Sequence, residues 1–340
     1  MTSASPLRIG VLGAAAIARN FIAGVAPSKT VKVVAVASRE RAKAEAFAKE
    51  TGLAQAFGSY DAMLADPAID AVYNPLPNTL HAHWSIRAAE AGKHVLCEKP
   101  LATTEADAIA MFAAARKHKI HLVEAYPYRA QPQTRKLAEL VAANAIGKIQ
   151  LIRSSFGVQF TDPTNIRLKP DVGGGALFDA GSYAVSLVRL VAGRRPVRAS
   201  AVAQWTATGV DNTVAATLEF DGGMMAQISC SFATGYHRHA LISGDTGTIE
   251  TTYLNHPPLG GPPVVRIKRG IMVGDPVETI EVAGTNGFLA EAESFRDLVL
   301  HGPSHWTGAT PEESVDIAAT LEAILASARS GKTVAVTPAP

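Results

Sequence analysis

The chain has 340 residues, 47% of them hydrophobic and 18% charged, which suits a globular protein of about two domains. Its 32 basic and 30 acidic side chains leave a net charge of +2, with no basic run and no aromatic-interleaved basic patch, so the sequence predicts neither a nucleic-acid nor a membrane partner. Cys97 and Cys230 lie far apart in apolar segments, which reads as buried thiols rather than a disulfide framework or a zinc site. The opening MTSASPLRIGVLGAAAIA carries no basic stretch ahead of its apolar run, so no signal peptide, no spanning helix and a cytoplasmic location are expected.

Residues 7–12 form a short apolar run, consistent with a buried parallel strand, and 14–26 read as a helix. At their junction Gly13, Ala15 and Ala18 fall on the three small positions of G-x-G-x-x-G/A, where a dinucleotide's pyrophosphate would meet the helix N-terminus near Ala16 and Ile17. Ala15 adds a methyl where glycine is usual, and an ordinary alanine-rich strand–helix turn has the same look. A second strand over 31–37 ends in Ser38-Arg39. The usual acid that would hold a ribose 2′-hydroxyl is missing there, and an arginine suits a 2′-phosphate, so NADP is expected, with NAD as the alternative. A solvated arginine beside a helix-start serine is the plainer reading.

Strands over 54–57 and 69–73 follow, with a helix over 60–64 between them. The second ends in Asn74-Pro75-Leu76-Pro77-Asn78, where two prolines dictate a loop, and a helix over 79–91 carries His81 in its first turn. His81 and His83 are two apart and point different ways on a helix, which disfavours a metal pair. The stretch 94–97 is another short strand, and it ends by presenting Glu98, Lys99 and Pro100 in succession. Strand C-termini are where open α/β sheets bind ligands, so Lys99 reads either as a partly buried acid/base amine or as a solvated surface amine. A helix over 105–117 and a strand over 120–125 complete an alternation that argues for a parallel, doubly wound sheet.

Taken in order, GVLGAAAIA, YNPLPNTLH, AGKHVLCEKPLA and EAYPYR resemble the Gfo/Idh/MocA oxidoreductase family. The resemblance implies an N-terminal Rossmann domain over 1–126 and a C-terminal α+β domain over 127–340. The latter would carry a large open-faced, mainly antiparallel sheet, with the last helices returning near the first domain. It also implies nicotinamide-dependent hydride transfer. In the family the lysine matching Lys99 is catalytic, and Leu76, Pro77, Asn78, His81 and Glu98 lie at the cofactor. The bond before Pro100 is expected to be cis.

The second half shows the alternation of an antiparallel sheet, with strands expected at 150–160, 197–205, 213–220, 224–232, 239–242 and 248–252. Asp221-Gly222-Gly223 and Asp245-Thr246-Gly247 read as hairpin turns, Pro257–Pro263 as a Pro/Gly loop, and 287–300 and 311–329 as helices. Gly173-Gly174-Gly175 permits a close ligand approach or a sharp turn. Asp179 and Tyr183 are four apart and share a face on a helix, aimed at a ligand or, in the plainer reading, serving the helix start and the core. The resemblance places Tyr183 where most of the family has histidine. That departure resembles the branch of dimeric dihydrodiol dehydrogenase and NADP-linked D-xylose dehydrogenase, in which a tyrosine works beside the lysine. Arg129 and Arg167 match positions near the same substrate pocket.

The expected activity is NADP-dependent oxidation of an aldose C1 hydroxyl to a lactone. Tyr183 would act as general base, Lys99 would lower its proton affinity or take the proton itself, and Asp179 would orient the sugar. A trans-dihydrodiol dehydrogenase, a ketosugar or dicarbonyl reductase on the same site, and an NADP-sensing regulator are the alternatives. The open sheet predicts a homodimer or a dimer of dimers.

Overall fold

The structure is a computed structural model that describes residues 5–256 and 261–336. The described residues divide into two compact units. The first comprises those up to 102, 106–130 and 285–311, and the second 103–105, 131–284 and 312 onward.

The first unit alternates β1 (Leu7–Leu12), α1 (Ala16–Val25), β2 (Val31–Ala37), α2 (Arg41–Thr51), β3 (Gln55–Phe57), α3 (Tyr60–Leu64), β4 (Ala71–Asn74), α4 (His81–Glu90), β5 (His94–Glu98), α5 (Glu105–Lys117) and β6 (Leu122–Ala125). The strands pair in parallel in the order β3-β2-β1-β4-β5-β6, the doubly wound arrangement that the alternation predicts. Both faces of the sheet are covered, so Ile9, Val11, Val36, Val72, Val95 and Leu96 are buried without alternation. The helix expected at 79 begins at His81, because one 3₁₀ turn, Asn78–Leu80, carries the chain out of the proline loop.

The second half runs through α6 (Pro132–Ala142), β7 (Ile149–Gln159), α7 (Ser182–Ala192), β8 (Arg198–Trp205), β9 (Asp211–Glu219), β10 (Met225–Ser231), β11 (Ala233–Gly244), β12 (Gly247–Thr252), β13 (Val264–Arg269), β14 (Val277–Glu281), α8 (Gly287–His301), α9 (Pro311–Ser330) and β15 (Val334–Ala335). Its nine strands form one sheet in the order β14-β13-β12-β11-β7-β10-β9-β8-β15, antiparallel except where β7 and β10 run side by side. The Asp221 and Asp245 turns connect antiparallel neighbours as expected. Four elements were not expected: α6, whose proline sits harmlessly at the helix start, β13 and β14 at one end of the sheet, and the two-residue β15 at the other. Residues 257–260 of the expected Pro/Gly loop lie outside the described residues.

α8 is built into the first unit. Phe288 meets Phe21 edge-on at 5.9 Å, and Phe21 stacks on Tyr73 at 3.9 Å. The helical run Pro170–Ala192 is long and apolar enough to cross a membrane by length and composition, yet 83% of its apolar 18-residue window is buried inside the fold. It backs the second sheet at β7 and β10, which accounts for its apolarity. The opposite face of that sheet leaves Val202, Met225 and Trp205 at 71%, 42% and 39% exposure.

Candidate active site

In the first unit the strand order reverses between β1 and β4, which opens a crevice at their C-terminal ends. Gly13 closes β1 with φ +98°, and its N–H donates to the Ala37 carbonyl at 2.8 Å. A Cβ on Gly13 would lie 2.9 Å from Leu76 Cδ2, so both backbone angle and space require glycine. α1 then starts at Ala16 after an extended Ala15, with no acid in its first turn. Ala14 to Ile17 are at least partly exposed, which leaves the positive end of the helix open to an anion. At the end of β2, Ser38 is buried and Arg39 is exposed. Burial raises the Tyr60 phenol, while the charge of Arg39 pulls it the other way. An accommodating glycine, an open helix N-terminus and a cation at the end of β2 fit a bound dinucleotide.

The loop after β4 is fixed by buried polar side chains. Asn74 donates to the Ser85 hydroxyl at 3.0 Å and accepts the Leu76 N–H at 3.3 Å. His81 is fully buried, with Nδ1 2.9 Å from the Pro100 carbonyl and Nε2 2.7 Å from the Leu76 carbonyl. Burial, the largest cause, holds its imidazole below the usual histidine range. A neutral ring carries a single N–H, so His81 donates to one of these two carbonyls and lies against the other, packed between the Leu76 loop and the Lys99–Pro100 strand end. The Lys99–Pro100 bond is cis. Pro77, Asn78 and Lys99 are half-buried, whereas Glu98 is buried and accepts the Tyr73 hydroxyl at 2.5 Å. Arg129 is buried in a 3₁₀ turn of this unit, Pro127–Ala130.

In the second unit the three glycines serve the turn itself. Gly173 and Gly175 have φ +76° and +121°. A Cβ on Gly174 would sit 2.5 Å from the Arg167 carbonyl oxygen. The chain then passes through a π-helical turn, Leu177–Gly181, into α7. Such turns are often found at functional sites. Asp211, which the sequence reading missed, accepts the Leu177 N–H at 2.6 Å at the start of this run. Asp179 accepts from Arg167 Nε at 2.7 Å, so two expected substrate residues form one ion pair.

Tyr183 points to a different set of neighbours. Its phenol oxygen accepts from Asn255 Nδ2 at 3.0 Å, and its ring lies 3.9 Å from the Arg238 guanidinium and 5.6 Å from the Phe156 ring. Arg238 escaped the sequence reading because the strand expected at 239–242 is only part of the longer β11, and Asn255 because it meets Tyr183 from 72 residues away. The signal was present: Arg238 shares the buried face of β11 with Ala240 and Ile242 at period two.

Residues 7–126 match the family described as "Oxidoreductase family, NAD-binding Rossmann fold", and residues 134–250 match its C-terminal domain. The chain belongs to the Gfo/Idh/MocA oxidoreductase family. This Gfo/Idh/MocA oxidoreductase is 36% identical to D-xylose 1-dehydrogenase (NADP(+)) 2 of Haloferax volcanii, over 96% of the chain and 99% of that protein. It is 33% identical to trans-1,2-dihydrobenzene-1,2-diol dehydrogenase of Danio rerio, over 87% of the chain and 89% of that protein. Among solved structures it matches a 3-ketoreductase from Actinomadura kijaniata in complex with NADP and TDP-benzene. That match has a TM-score of 0.85 and 32% identity, and covers 95% of the chain and 98% of the other. As a family member it is an oxidoreductase with a nicotinamide-dinucleotide fold, and the parallel doubly wound sheet and the large, mainly antiparallel second sheet expected from its motifs are both observed.

Proposed function

We propose that the protein is an NADP-dependent dehydrogenase that oxidises the C1 hydroxyl of an aldose to a lactone. The observation that carries this reading is the environment of Tyr183. Its phenol oxygen receives a hydrogen bond from Asn255, and an arginine stacks on its ring. Both contacts favour the phenolate, the form that can take a proton from a sugar hydroxyl. The bound nicotinamide would supply the hydride acceptor. Tyr183 takes the hydroxyl proton as the carbonyl forms. Asp179 and Arg167 offer a carboxylate and a guanidinium for sugar hydroxyls, and Arg129 is a further candidate for that contact. Lys99 supplies a cation at the strand end that carries the cofactor loop, and Gly13, Ala15, Ala16, Ile17, Ser38 and Arg39 hold the dinucleotide. The identity to a D-xylose 1-dehydrogenase supports the aldose.

A second reading is reduction of a sugar ketone on the same residues, favoured by the likeness to the Actinomadura ketoreductase. We further place the protein in the cytoplasm as a dimer formed through the open sheet. The exposure of Val202, Met225 and Trp205 on that face supports the pairing.

The test follows NADP+ reduction by absorbance across aldoses, myo-inositol and a trans-dihydrodiol, and NADPH oxidation with ketosugars. Turnover with one aldose supports the first reading, and turnover with a ketone alone replaces it with the second. Lys99→Met and Tyr183→Phe should each lose about 10²–10⁴-fold in turnover while still binding NADP. Near-normal turnover in either variant removes that residue from the mechanism.

A further inference from the structure

Arg238 is a buried cation on the apolar face of a β-strand, a costly placement that calls for a reason. Its guanidinium carbon lies 3.9 Å from the Tyr183 ring centre, 4.7 Å from that of Tyr253 and 4.9 Å from that of Phe156. Its Nη1 donates to Asn255 Oδ1 at 3.3 Å, and Asn255 Nδ2 donates to the Tyr183 phenol oxygen at 3.0 Å. The order of these bonds is not interchangeable. A guanidinium only donates, so the amide oxygen of Asn255 must face Arg238 and the amide nitrogen must face the phenol. The Asn255 carbonyl accepts from Gln131 Nε2 at 2.6 Å, which holds the residue in place.

We propose that Arg238 and Asn255 are a positioning pair that makes Tyr183 a proton acceptor. The inference rests on the reading of Tyr183 as the group that takes the substrate proton. Arg238 fixes the amide so that it donates to the phenol oxygen. The phenol's own O–H is thereby directed elsewhere, and the phenolate keeps a donor when the proton has left. The cation stacked on the ring stabilises the same charge. In the oxidation the substrate C–O–H proton passes to the phenolate oxygen and the C–H hydride would be taken by a bound oxidised nicotinamide, so that the carbonyl, the neutral phenol and the reduced nicotinamide balance atoms and electrons. Two titratable groups from the segment after β12 also face Arg238: Tyr253, over whose ring it lies, and His256, which feels its charge. Burial, and then the charge of Arg238, hold His256 below its usual range, so it adds no second cation at neutral pH.

The test is the pH profile of kcat with NADP+ and the best aldose, for the wild type and for Arg238→Met, Arg238→Lys, Asn255→Ala, Asn255→Asp and Tyr183→Phe. Arg238→Met should move the acid limb about one pH unit upward, roughly tenfold in rate below the limb, with activity recovering at high pH and NADP affinity unchanged. Arg238→Lys should fall between it and the wild type. Asn255→Asp replaces a donor with a carboxylate and should move the limb further than Asn255→Ala. Asn255 is only partly buried, so its variants decide the matter if Arg238→Met fails to fold. A substrate-free tyrosinate absorbance titration, wild type against Tyr183→Phe, should show the same displacement in the Arg238 and Asn255 variants. Uniform losses at every pH, or an unmoved limb in all four variants, overturn the positioning role while Tyr183→Phe stays inactive. Full turnover in Tyr183→Phe overturns the reading of Tyr183 itself, and the positioning role with it.

Discussion

The Tyr73 hydroxyl donates to the Glu98 carboxylate at 2.5 Å, between buried side chains on adjacent parallel strands. The bond anchors the residue directly before Lys99. Tyr73 also stacks on Phe21, so Tyr73→Phe keeps the ring packing and deletes only the donor. A buried carboxylate deprived of this donor costs about 1–3 kcal/mol. The urea midpoint should fall with an unchanged slope. Adding Glu98→Gln should recover part of the loss, because a neutral amide is cheaper to leave short of a donor. An unchanged midpoint in Tyr73→Phe would mean that the hydroxyl contributes nothing.

Glu291 on α8 presents the opposite case. It is buried, neither carboxylate oxygen has a hydrogen-bond partner among the described residues, and burial, with the charge of Glu98 adding to it, holds its carboxyl well above the usual range. The folded chain therefore keeps a proton that the unfolded chain releases near pH 4–5. The sign follows: folding is favoured below that pH and penalised progressively as pH rises toward the folded value. Glu291→Met removes the acid at similar volume, so the variant should be the more stable, with a Tm margin that widens from about pH 5 to about pH 8. A margin that stays flat or narrows with pH would contradict the buried acid.

His81 gives the reverse slope. Its imidazole is held below the usual range, so the unfolded chain takes up a proton near pH 6.5 that the folded chain refuses. Stability is lost as pH falls through that region. His81→Gln replaces the planar ring between the Leu76 and Pro100 carbonyls and loses the N–H that serves one of them. It should cost about 1–3 kcal/mol at about pH 8. The gap to the wild type should close toward about pH 5, where the wild type pays for its neutral ring. Denaturant midpoints at the two pH values check it, and a gap that widens on acidification would show that the ring is charged in the fold.

The first unit was legible because each of its strands is short, apolar and followed by a helix, and because the punctuation at Gly13, Pro75, Pro77 and Pro100 is local in sequence. Elsewhere the pattern runs out. β14 is exposed along most of its length, so its sequence carries little apolar signal. The expected strand at 239–242 was cut at its apolar centre, which hid Arg238. Asn255 reaches Tyr183 from 72 residues away, and no local spacing encodes that contact. For His81, the proximity to the cofactor loop was readable, but the two carbonyls that its ring lies between depend on how that loop folds back against Pro100.

Arg39 offers the sharpest separation of the two nicotinamide cofactors. It is exposed at the C-terminal end of β2, and its charge reaches Tyr60, whose hydroxyl lies 3.9 Å from the position a Gly13 Cβ would take. A guanidinium hydrogen-bonding a 2′-phosphate is worth about 1.5–3 kcal/mol, or roughly tenfold to a hundredfold in affinity. Arg39→Ala should raise the KM for NADP by that factor and leave the KM for NAD nearly unchanged. The wild-type preference should also weaken with added salt, because the contact is at the surface. Steady-state kinetics with both cofactors read the ratio directly. If Arg39→Ala weakens both cofactors equally, the residue holds a part of the dinucleotide that they share. If neither KM moves, Arg39 does not touch the cofactor and the buried Ser38 is left to provide the discrimination.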